Sequence, residues 1–404
     1  MDPLRPMNQI STLRSAGGRL PRSLKPRLFN YLNLPLCAVV FALVAYGLLI
    51  VYSAVASDTS YSFSRQAAGV AVGAALMLLL FRYDYHHLSH YLVFFLIINV
   101  VLIMLPHVPI VGQSAKGATS WVAFGPVRFQ PGEFAKVTVI LLAASVIARF
   151  GGKLDNVRDF LKALGIMLVP FVCIMTQPDL GTGLVYLFIA GVALVVGGAR
   201  PRYIVILVAL AVAAVAALFI LDPIADSLAG HDVLLKDYQR ARLMVFLDNS
   251  YDPMGDGYNL KQAQIAIGSG GFLGKGYMNA TQSALGYLPE APTDFIFCVL
   301  AEQLGFLGAF VLLVLYALLI FICYRIAYRS NDLFGTVLVM CVAGMWLFQI
   351  PENIGMTCGL MPITGIPLPF MSYGSSFMVV NFILLGLIGS VRSHNGRELK
   401  RGLR

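Results

Sequence analysis

The sequence predicts an all-α polytopic membrane protein with ten transmembrane helices. Of its 404 residues, 58% are hydrophobic and only 12% are charged, which is far from the composition of a soluble domain. Apolar runs of roughly 20 residues, each long enough to cross a bilayer as a helix, recur along the chain. The weaker alternating pattern of a transmembrane β-barrel is absent, so we expect every span to be a helix.

The predicted domain organisation follows from the order of these runs. A basic tail (residues 1–30) precedes a membrane domain (residues 31–391), and a second basic tail (residues 392–404) ends the chain. The ten predicted spans lie at about 31–54, 63–81, 88–106, 132–149, 161–176, 181–199, 203–221, 295–323, 333–351 and 374–391.

The distribution of positive charge predicts the topology. Most of the 29 Lys and Arg residues lie in the two tails and in the short loops on the same side as the tails. Cytoplasmic loops carry such an excess, so both termini are predicted to be cytoplasmic. The net charge of +9 is therefore a topological signal, and it does not indicate nucleic acid as a partner. The single cysteines within or beside apolar runs predict neither a metal site nor disulfides.

The outer segments differ from the short inner loops because they are polar, long and rich in Gly and Pro. Residues 222–293 form a long extracellular loop between the seventh and eighth predicted spans, and Tyr238–Phe246 within it is predicted to be an amphipathic helix near lipid headgroups. Residues 351–373 carry prolines among large apolar side chains, which predicts a re-entrant segment before the tenth helix. Loops of this length are usually functional.

Three charged residues at the outer ends of spans are candidates for a site. Glu133 lies in the first turn of the fourth span, where an acid suits the helix dipole, and Lys136 at i+3 can pair with it. Lys136 either faces a polar cavity or extends outward to the surface, and both interpretations stay open. Arg65 at the start of the second span has an interfacial anchor as its simplest interpretation. Asp179 is predicted to cap the sixth helix.

Asp294 stands immediately before the eighth span, at the water–membrane boundary. A carboxylate in this position needs a partner or a task. It is either a cap of the following helix or a catalytic group, and the residues alone leave both open. Lys275 follows a run of glycines, but the spacing is not that of a nucleotide-binding phosphate loop.

Several motifs resemble those of the SEDS (shape, elongation, division and sporulation) family of bacterial peptidoglycan polymerases, over essentially the whole chain from residue 31. The motifs are Ala118-Thr-Ser-Trp121, Phe129-Gln-Pro-Gly-Glu133, Gln177-Pro-Asp-Leu-Gly-Thr182, Gly257-Tyr-Asn259, Leu288-Pro-Glu-Ala-Pro-Thr-Asp-Phe295 and Pro367-Leu-Pro-Phe-Met-Ser-Tyr-Gly374. The outer loop is more similar to that of the elongation member than to that of the division member. Pro292 departs from the family, in which a His is frequent at this position.

The resemblance implies the reaction and the partners. It implies lipid II as substrate, polymerised at the outer face of the cytoplasmic membrane with inversion at C1, and a class B penicillin-binding protein as partner. It places the essential acid on Asp294, which we interpret as the general base. The cations Lys136 and Arg65 then stabilise the leaving pyrophosphate. The remaining residues expected to contact substrate are Glu133, Lys275, Glu290 and Ser372.

Alternatives remain at this stage. Lys136 is a possible resting-state partner of Asp294, although such a pair would weaken Asp294 as a base. A divalent cation (Mg or Mn) could bridge acidic residues to pyrophosphate, but no ligand cluster predicts one. A lipid II flippase, a division-type polymerase and a scaffold without enzymatic activity are the competing functions. Ten helices with intramembrane charges suit transport as well.

Overall fold

The computed structural model describes residues 33–395, except for residues 57, 59, 110–111, 116–117, 125–126, 178, 230–234, 236, 249–250 and 253–254. The predicted N-terminal tail and most of the C-terminal tail lie outside the described residues.

Helices dominate the described chain. They are α1 (Leu34–Val55), α2 (Phe63–Leu80), α3 (Leu92–Met104), α4 (Pro131–Arg149), α5 (Val157–Ile174), α6 (Leu180–Val196), α7 (Pro201–Ala229), α8 (Asp237–Leu247), α9 (Asp256–Gly270), α10 (Thr281–Ala284), α11 (Ile296–Tyr328), α12 (Leu333–Cys358) and α13 (Ser375–His394). Among the described residues, seven of these helices (α1, α2, α4, α7, α11, α12 and α13) are long and apolar enough to cross a membrane, and two shorter apolar helices lie at Leu92–His107 and Leu180–Val196. The predicted class, a helical polytopic membrane protein, is confirmed.

A small β-sheet corrects the prediction that the fold is entirely helical. Its strands are β1 (Gly112–Ala115), β2 (Ala118–Phe124) and β3 (Val127–Phe129), and they pair antiparallel in this order. The connections between these strands are two residues each in the sequence, and both contain a glycine. The sequence analysis did not identify these strands, because they are too short to give a clear alternating pattern.

Two further boundaries differ from the prediction. Helix α12 continues through Pro351 to Cys358, although the proline was expected to end it. A proline removes only one donor, and neighbouring groups in a membrane bundle can satisfy the carbonyl that it leaves. The outer loop 222–293 is also less irregular than expected, because it contains α8, α9 and α10. A helix, α8, is present where one was predicted at residues 238–246, but its residues do not divide into a polar and an apolar face.

The centre of the bundle is formed by α4, α12 and α13, whose side chains are mostly buried. Helix α2 packs along α13 through small residues. A side chain at Gly69 would collide with the backbone of Ser375, and one at Gly73 would collide with the ring of Phe382. Small residues at such contacts let membrane helices approach closely, where packing is the main source of association. The N-cap of α6 is Asp179, which accepts a hydrogen bond from the Thr182 amide, as predicted.

Helix α11 is interrupted at Gly305, and the glycine-rich segment 271–276 fills the interruption. Gly305 has a φ of 63°, a conformation that glycine adopts without strain. The carbonyls of residues 302–303 accept hydrogen bonds from the amides of residues 275–276, at 2.9 and 3.0 Å. In return, the amides of residues 306–307 donate to the carbonyls of residues 271–272, at 2.9 and 3.1 Å. Four backbone groups that the break would leave unpaired are therefore satisfied, as a membrane environment demands.

This backbone pairing predicts that Gly274 tolerates no side chain. Gly274 (φ 79°) and Gly286 (φ 71°) are both left-handed, but a Cβ at Gly274 would lie 2.1 Å from the carbonyl oxygen of Gln303, whereas one at Gly286 would meet nothing within 4 Å. Gly286→Ala should cost about 1–2 kcal/mol from backbone conformation alone. Gly274→Ala should cost a further ~1–3 kcal/mol from the collision.

The measurement is the thermal unfolding midpoint of each purified variant in detergent micelles. Gly286→Ala serves as the control for the cost of a left-handed alanine. Equal midpoints for the two variants would contradict the proposed role of the backbone pairing.

Candidate functional site

Asp294 lies at the end of a tight turn that leads into α11. Glu290 has a φ of 54°, which non-glycine residues adopt rarely. Its carbonyl oxygen accepts the backbone N–H groups of Thr293 at 3.1 Å, Asp294 at 3.1 Å and Phe295 at 3.2 Å. The N-cap of α11 is Phe295, whose own side chain forms no capping hydrogen bond. Asp294 precedes this N-cap by one residue, and its alternative role as a cap of the helix stays a prediction.

The Glu290 side chain also stabilises this turn through hydrogen bonds. Its Oε2 accepts hydrogen bonds from the hydroxyl of Tyr61 at 2.9 Å and from the hydroxyl of Thr293 at 3.0 Å. Burial, and then the neighbouring Glu290 carboxylate, raise the pKa of Tyr61, so the phenol stays protonated and remains a donor. Glu290, predicted to contact substrate, thus has at least one clear role in shaping the turn.

The irregular segment between α12 and α13, residues 359–374, supports the turn from the other side. The carbonyls of residues 292–294 accept three hydrogen bonds in succession: from the Tyr373 amide at 2.8 Å, from the Ser372 hydroxyl at 2.7 Å and from the Asn353 side-chain amide at 2.9 Å. Ser372 is fully buried in this position. Its predicted contact with substrate stays a prediction, but its observed contacts are with the turn and its own segment.

Gln66, and not Arg65, connects α2 to this arrangement. The Gln66 amide donates to the carbonyl of Ser372 at 3.2 Å and accepts the backbone N–H of Gly374 at 2.9 Å. Gln66 is fully buried, whereas Arg65 is exposed and forms no ion pair with any other described residue. The sequence analysis selected Arg65 as a site residue, but in the structure Gln66 makes the buried contacts.

Arg242 is a cation beside Asp294 that the sequence did not identify as a site residue. A Cβ at Gly365 would lie 3.3 Å from Oδ2 of Asp294 and 3.9 Å from Nη1 of Arg242, so both groups border the same point. Arg242 also forms an ion pair with Asp256 at 3.3 Å and donates to the Thr364 carbonyl at 3.5 Å. It was predicted to lie near lipid headgroups. Its observed contacts are instead with α9 and with the segment that carries Gly365.

A row of buried polar side chains on α12 was also missed. Gln349, Glu352 and Asn353 are 0–3% exposed, and their i, i+3, i+4 spacing puts them on one face of the helix. Both polar atoms of Gln349, Oε2 of Glu352 and Oδ1 of Asn353 have no hydrogen-bond partner among the described residues. Oε1 of Glu352 accepts the Thr364 hydroxyl. Buried polar atoms without partners need an explanation such as water or a ligand, and this spacing within an apolar helix was the available signal.

Glu133 and Lys136 form the pair that their spacing predicted. The Lys136 ammonium lies 2.6 Å from Oε1 of Glu133, and the two residues are 1% and 4% exposed. The ammonium also lies 5.6 Å from the ring centroid of Phe377, at the start of α13. The alternative in which Lys136 extends to the surface is therefore wrong, and its observed ionic partner is Glu133, not Asp294. Oε2 of Glu133 is buried and has no hydrogen-bond partner in the described chain.

Lys275 lies in the glycine-rich segment, and its ammonium is occupied by protein groups. It contacts Oε1 of Glu302 at 2.6 Å and the Thr281 hydroxyl at 2.7 Å. Glu302, a fully buried carboxylate within α11 that the sequence analysis overlooked, also accepts the backbone amides of Thr281 and Gln282. This pair fixes the glycine-rich segment on α11. Substrate contact by Lys275 stays a prediction.

The turn contacts predict that Asn353 determines the position of Asp294. Its amide donates to the Asp294 carbonyl at 2.9 Å and to the Ile366 carbonyl at 2.7 Å. Asn353→Ala leaves both carbonyls without this donor, at a cost of about 1–3 kcal/mol for each that stays buried. We expect a lower thermal unfolding midpoint in micelles and faster proteolysis in residues 285–295.

Thr357→Val is the matched control, because Thr357 is equally buried one turn further along α12 and its hydroxyl donates to a carbonyl of its own helix. If Asn353→Ala and Thr357→Val had the same proteolysis rate in this turn, the positioning role of Asn353 would be excluded.

Comparisons with known proteins agree with this arrangement. Residues 34–397 match the model of the FtsW, RodA and SpoVE family, described as cell cycle proteins. The peptidoglycan glycosyltransferase MrdB of Escherichia coli K12 is 36% identical over 368 residues, covering 90% of this chain and 94% of MrdB. The peptidoglycan glycosyltransferase RodA of Treponema pallidum is 33% identical, covering 92% of this chain and 98% of that protein.

Solved structures give the same result. A chain of a peptidoglycan synthase complex that coordinates polymerization and crosslinking is 30% identical, with a TM-score of 0.76, and the match covers 90% of this chain and 98% of that chain. The rod shape determining protein RodA of Thermus thermophilus is 27% identical, with a TM-score of 0.64 and coverage of 89% and 96%. The chain is thus a member of the FtsW, RodA and SpoVE family of cell cycle proteins, the SEDS family that its motifs resemble.

Proposed function

We propose that this protein is a peptidoglycan glycosyltransferase of the elongation type, which polymerises lipid II with Asp294 as the general base. The activity and the elongation role are supported by the relatives, since MrdB and the Treponema RodA are named peptidoglycan glycosyltransferases. The observation that carries the role of Asp294 is the turn that holds it. The backbone of the turn is fixed by hydrogen bonds from α12 and from residues 359–374, while the Asp294 side chain remains partly exposed.

The proposed chemistry is an inverting glycosyl transfer. The 4-hydroxyl of the acceptor sugar attacks C1 of the donor sugar, the bond from C1 to the pyrophosphate oxygen breaks, and the pyrophosphate leaves with the bonding electrons. Asp294 takes the proton of the attacking hydroxyl. A rigid turn favours this step because the base is already positioned when substrate binds, and positioning is a major part of catalysis.

Two cations are candidates for stabilising the charge on the leaving pyrophosphate. Arg242 borders the same point as Asp294, and its guanidinium can bind phosphate through two parallel hydrogen bonds. Lys136 keeps the predicted role only if the charge of Glu133, 2.6 Å away, leaves enough positive potential for the substrate. Arg65 is exposed at the start of α2, so it would contact substrate from outside the bundle.

A divalent cation on the pyrophosphate remains part of the proposal only as a substrate-borne ion. Among the described residues, no three His, Cys, Asp or Glu side chains are grouped closely enough to hold a metal. The carboxylates nearest to the site, Asp294 and Glu352, would need ligands from the substrate to complete a coordination sphere. The mechanism proposed here therefore contains no step on a protein-bound metal.

The topology belongs to the same proposal. We assign ten crossings, with both tails and the short basic loops in the cytoplasm and the Asp294 turn outside. Residues 359–374 are proposed to be re-entrant, since Ile363, Ile366, Leu368 and Phe370 in this non-helical stretch are buried. The partner is proposed to be a class B penicillin-binding protein, which is supported by the related chain from a complex that coordinates polymerization with crosslinking.

Asp294→Asn is expected to abolish polymerisation while preserving the fold. General-base assistance contributes about 100- to 10,000-fold, so the rate of glycan synthesis should fall by this factor. The measurement is gel separation of glycan strands made from lipid II by the purified protein, with and without its penicillin-binding protein, in the presence or absence of a chelator. Asp159→Asn, at a partly exposed acid in the first turn of α5, is the control.

A near wild-type rate with Asp294→Asn would refute the general-base role. Transport of lipid II across vesicles that is unaffected by Asp294→Asn, together with no glycan synthesis by the wild-type protein, would favour the flippase alternative. Loss of synthesis on chelation would show that the reaction requires a cation.

A second test separates the structural and the electrostatic roles of Lys136. Lys136→Met alone leaves the Glu133 charge buried without its partner, which typically costs about 3–5 kcal/mol. Glu133→Gln combined with Lys136→Met removes both charges and should restore most of the thermal stability.

If Lys136 stabilises the leaving pyrophosphate, the stable double variant should still make little glycan. Recovery of polymerisation together with stability would instead assign a purely structural role to the pair.

A further inference from the structure

A cavity lies at the opposite end of the bundle from Asp294. It has a volume of about 600 Å³ and lies between the start of α3, the end of α4 and the first turns of α5. Its lining residues are Leu92, Val146, Arg149, Phe150, Leu161, Lys162, Gly165 and Ile166. Asp294 is held by residues near the C-terminal end of α12 and the N-terminal end of α13. The start of α4 lies at this same end, because its Glu133–Lys136 pair is beside Phe377 at the start of α13. Arg149 is the last residue of α4 and therefore lies at the opposite end.

Apolar walls and uncompensated cations make up this cavity. Arg149 and Lys162 form no ion pair or hydrogen bond with another residue in the part of the chain that the structure describes. Asp159 precedes Lys162 by one turn of α5 but forms no ion pair with it, and Asp155 pairs with Arg200 at 3.7 Å. The rest of the lining is hydrocarbon or glycine. Two positive charges above an apolar groove are complementary to a molecule with an anionic head and an alkyl chain.

The surroundings of the groove identify the source of that molecule. On α3 the neighbouring side chains of Phe94 and Ile97 are 54% and 58% exposed, and on α5 those of Leu161 and Val172 are 55% and 64% exposed. In the proposed ten-crossing topology α3 and α5 span the membrane, so these surfaces face lipid. A ligand that enters the groove therefore comes from the bilayer. The apolar rim disfavours a free phosphate ion, which would have to leave water to pass along it.

We propose that the groove between α3, α4 and α5 is a binding site for an anionic phospholipid of the cytoplasmic leaflet. The phosphate lies between Arg149 and Lys162, and one acyl chain follows the groove past Gly165. Basic pockets between transmembrane helices on the cytoplasmic side bind anionic headgroups by this combination of charge and hydrophobic contact. The assignment to the cytoplasmic leaflet rests on the proposed topology, but the site itself does not depend on the polymerase activity.

Gly165 allows the groove to be filled without disturbing the fold. A Cβ at Gly165 would meet no heavy atom within 4 Å, so a Leu side chain there would extend into the groove. Gly191 on α6 is equally open and does not line the cavity. Gly165→Leu and Gly191→Leu are therefore a matched pair, since both add the same side chain to an open position on a membrane helix.

The experiment is a titration of the full-length, delipidated protein with phosphatidylglycerol or phosphatidylcholine, followed by native mass spectrometry. The Arg149→Gln/Lys162→Gln variant should bind phosphatidylglycerol about 30-fold more weakly, the factor that corresponds to two surface cations. Its phosphatidylcholine binding should change little. Gly165→Leu should weaken phosphatidylglycerol binding by about tenfold, and Gly191→Leu should leave it unchanged. Thermal unfolding midpoints without lipid check that each variant is folded.

Three results would overturn the proposal. The first is unchanged phosphatidylglycerol binding by Arg149→Gln/Lys162→Gln, and the second is unchanged binding by Gly165→Leu. The third is competition by inorganic phosphate alone at concentrations similar to those of the lipid, which would show that the groove and the acyl chain contribute nothing.

Discussion

The structure around Asp294 depends on one constraint, which is that the backbone of its turn must find hydrogen-bond partners at the edge of a membrane. An unpaired backbone group is costly in an apolar environment. The carbonyls of residues 292–294 obtain their donors from α12 and from residues 359–374, which lie far away in the sequence. The long irregular segment between α12 and α13 therefore has a structural role, which is to supply hydrogen-bond donors to this turn. The Asp294 side chain can be partly exposed because the backbone carbonyls of its turn already have partners.

The same requirement explains how charge is arranged in the part of the molecule that contains this turn. Lys136 is paired with Glu133, and Lys275 is paired with Glu302. Each of these buried carboxylates offsets the charge of a lysine and holds the lysine ammonium in a fixed position. The observed ionic partner of Lys136 is Glu133, so the structure gives no reason to expect that Lys136 weakens Asp294 as a base. The conflict between the two predicted roles of Lys136 is removed by a local pair three residues apart.

Sequence reasoning succeeded where a short-range rule applied and failed where a contact joined distant segments. The seven long apolar helices of the described chain follow from apolar length, the Glu133–Lys136 pair from i, i+3 spacing, and the cap of α6 from a single aspartate. The interaction of Arg242 with the Asp294 region depends on how the outer loop folds back, and no local pattern contains that information. The choice between Arg65 and Gln66 depends on the rotation of α2, which neighbouring residues at a helix end do not determine.

The interruption of α11 at Gly305 has a consequence for the order of assembly. Residues 271–276 are synthesised before α11, but the backbone groups that they pair with exist only after α11 has been made and inserted. The same applies to the Asp294 turn, which waits for α12 and for residues 359–374. The glycine-rich segment and the Asp294 turn therefore reach their final contacts late in biogenesis, after most of the chain has been made. A nascent chain that stalls before α12 would already contain Asp294 but would lack the donors that fix its turn.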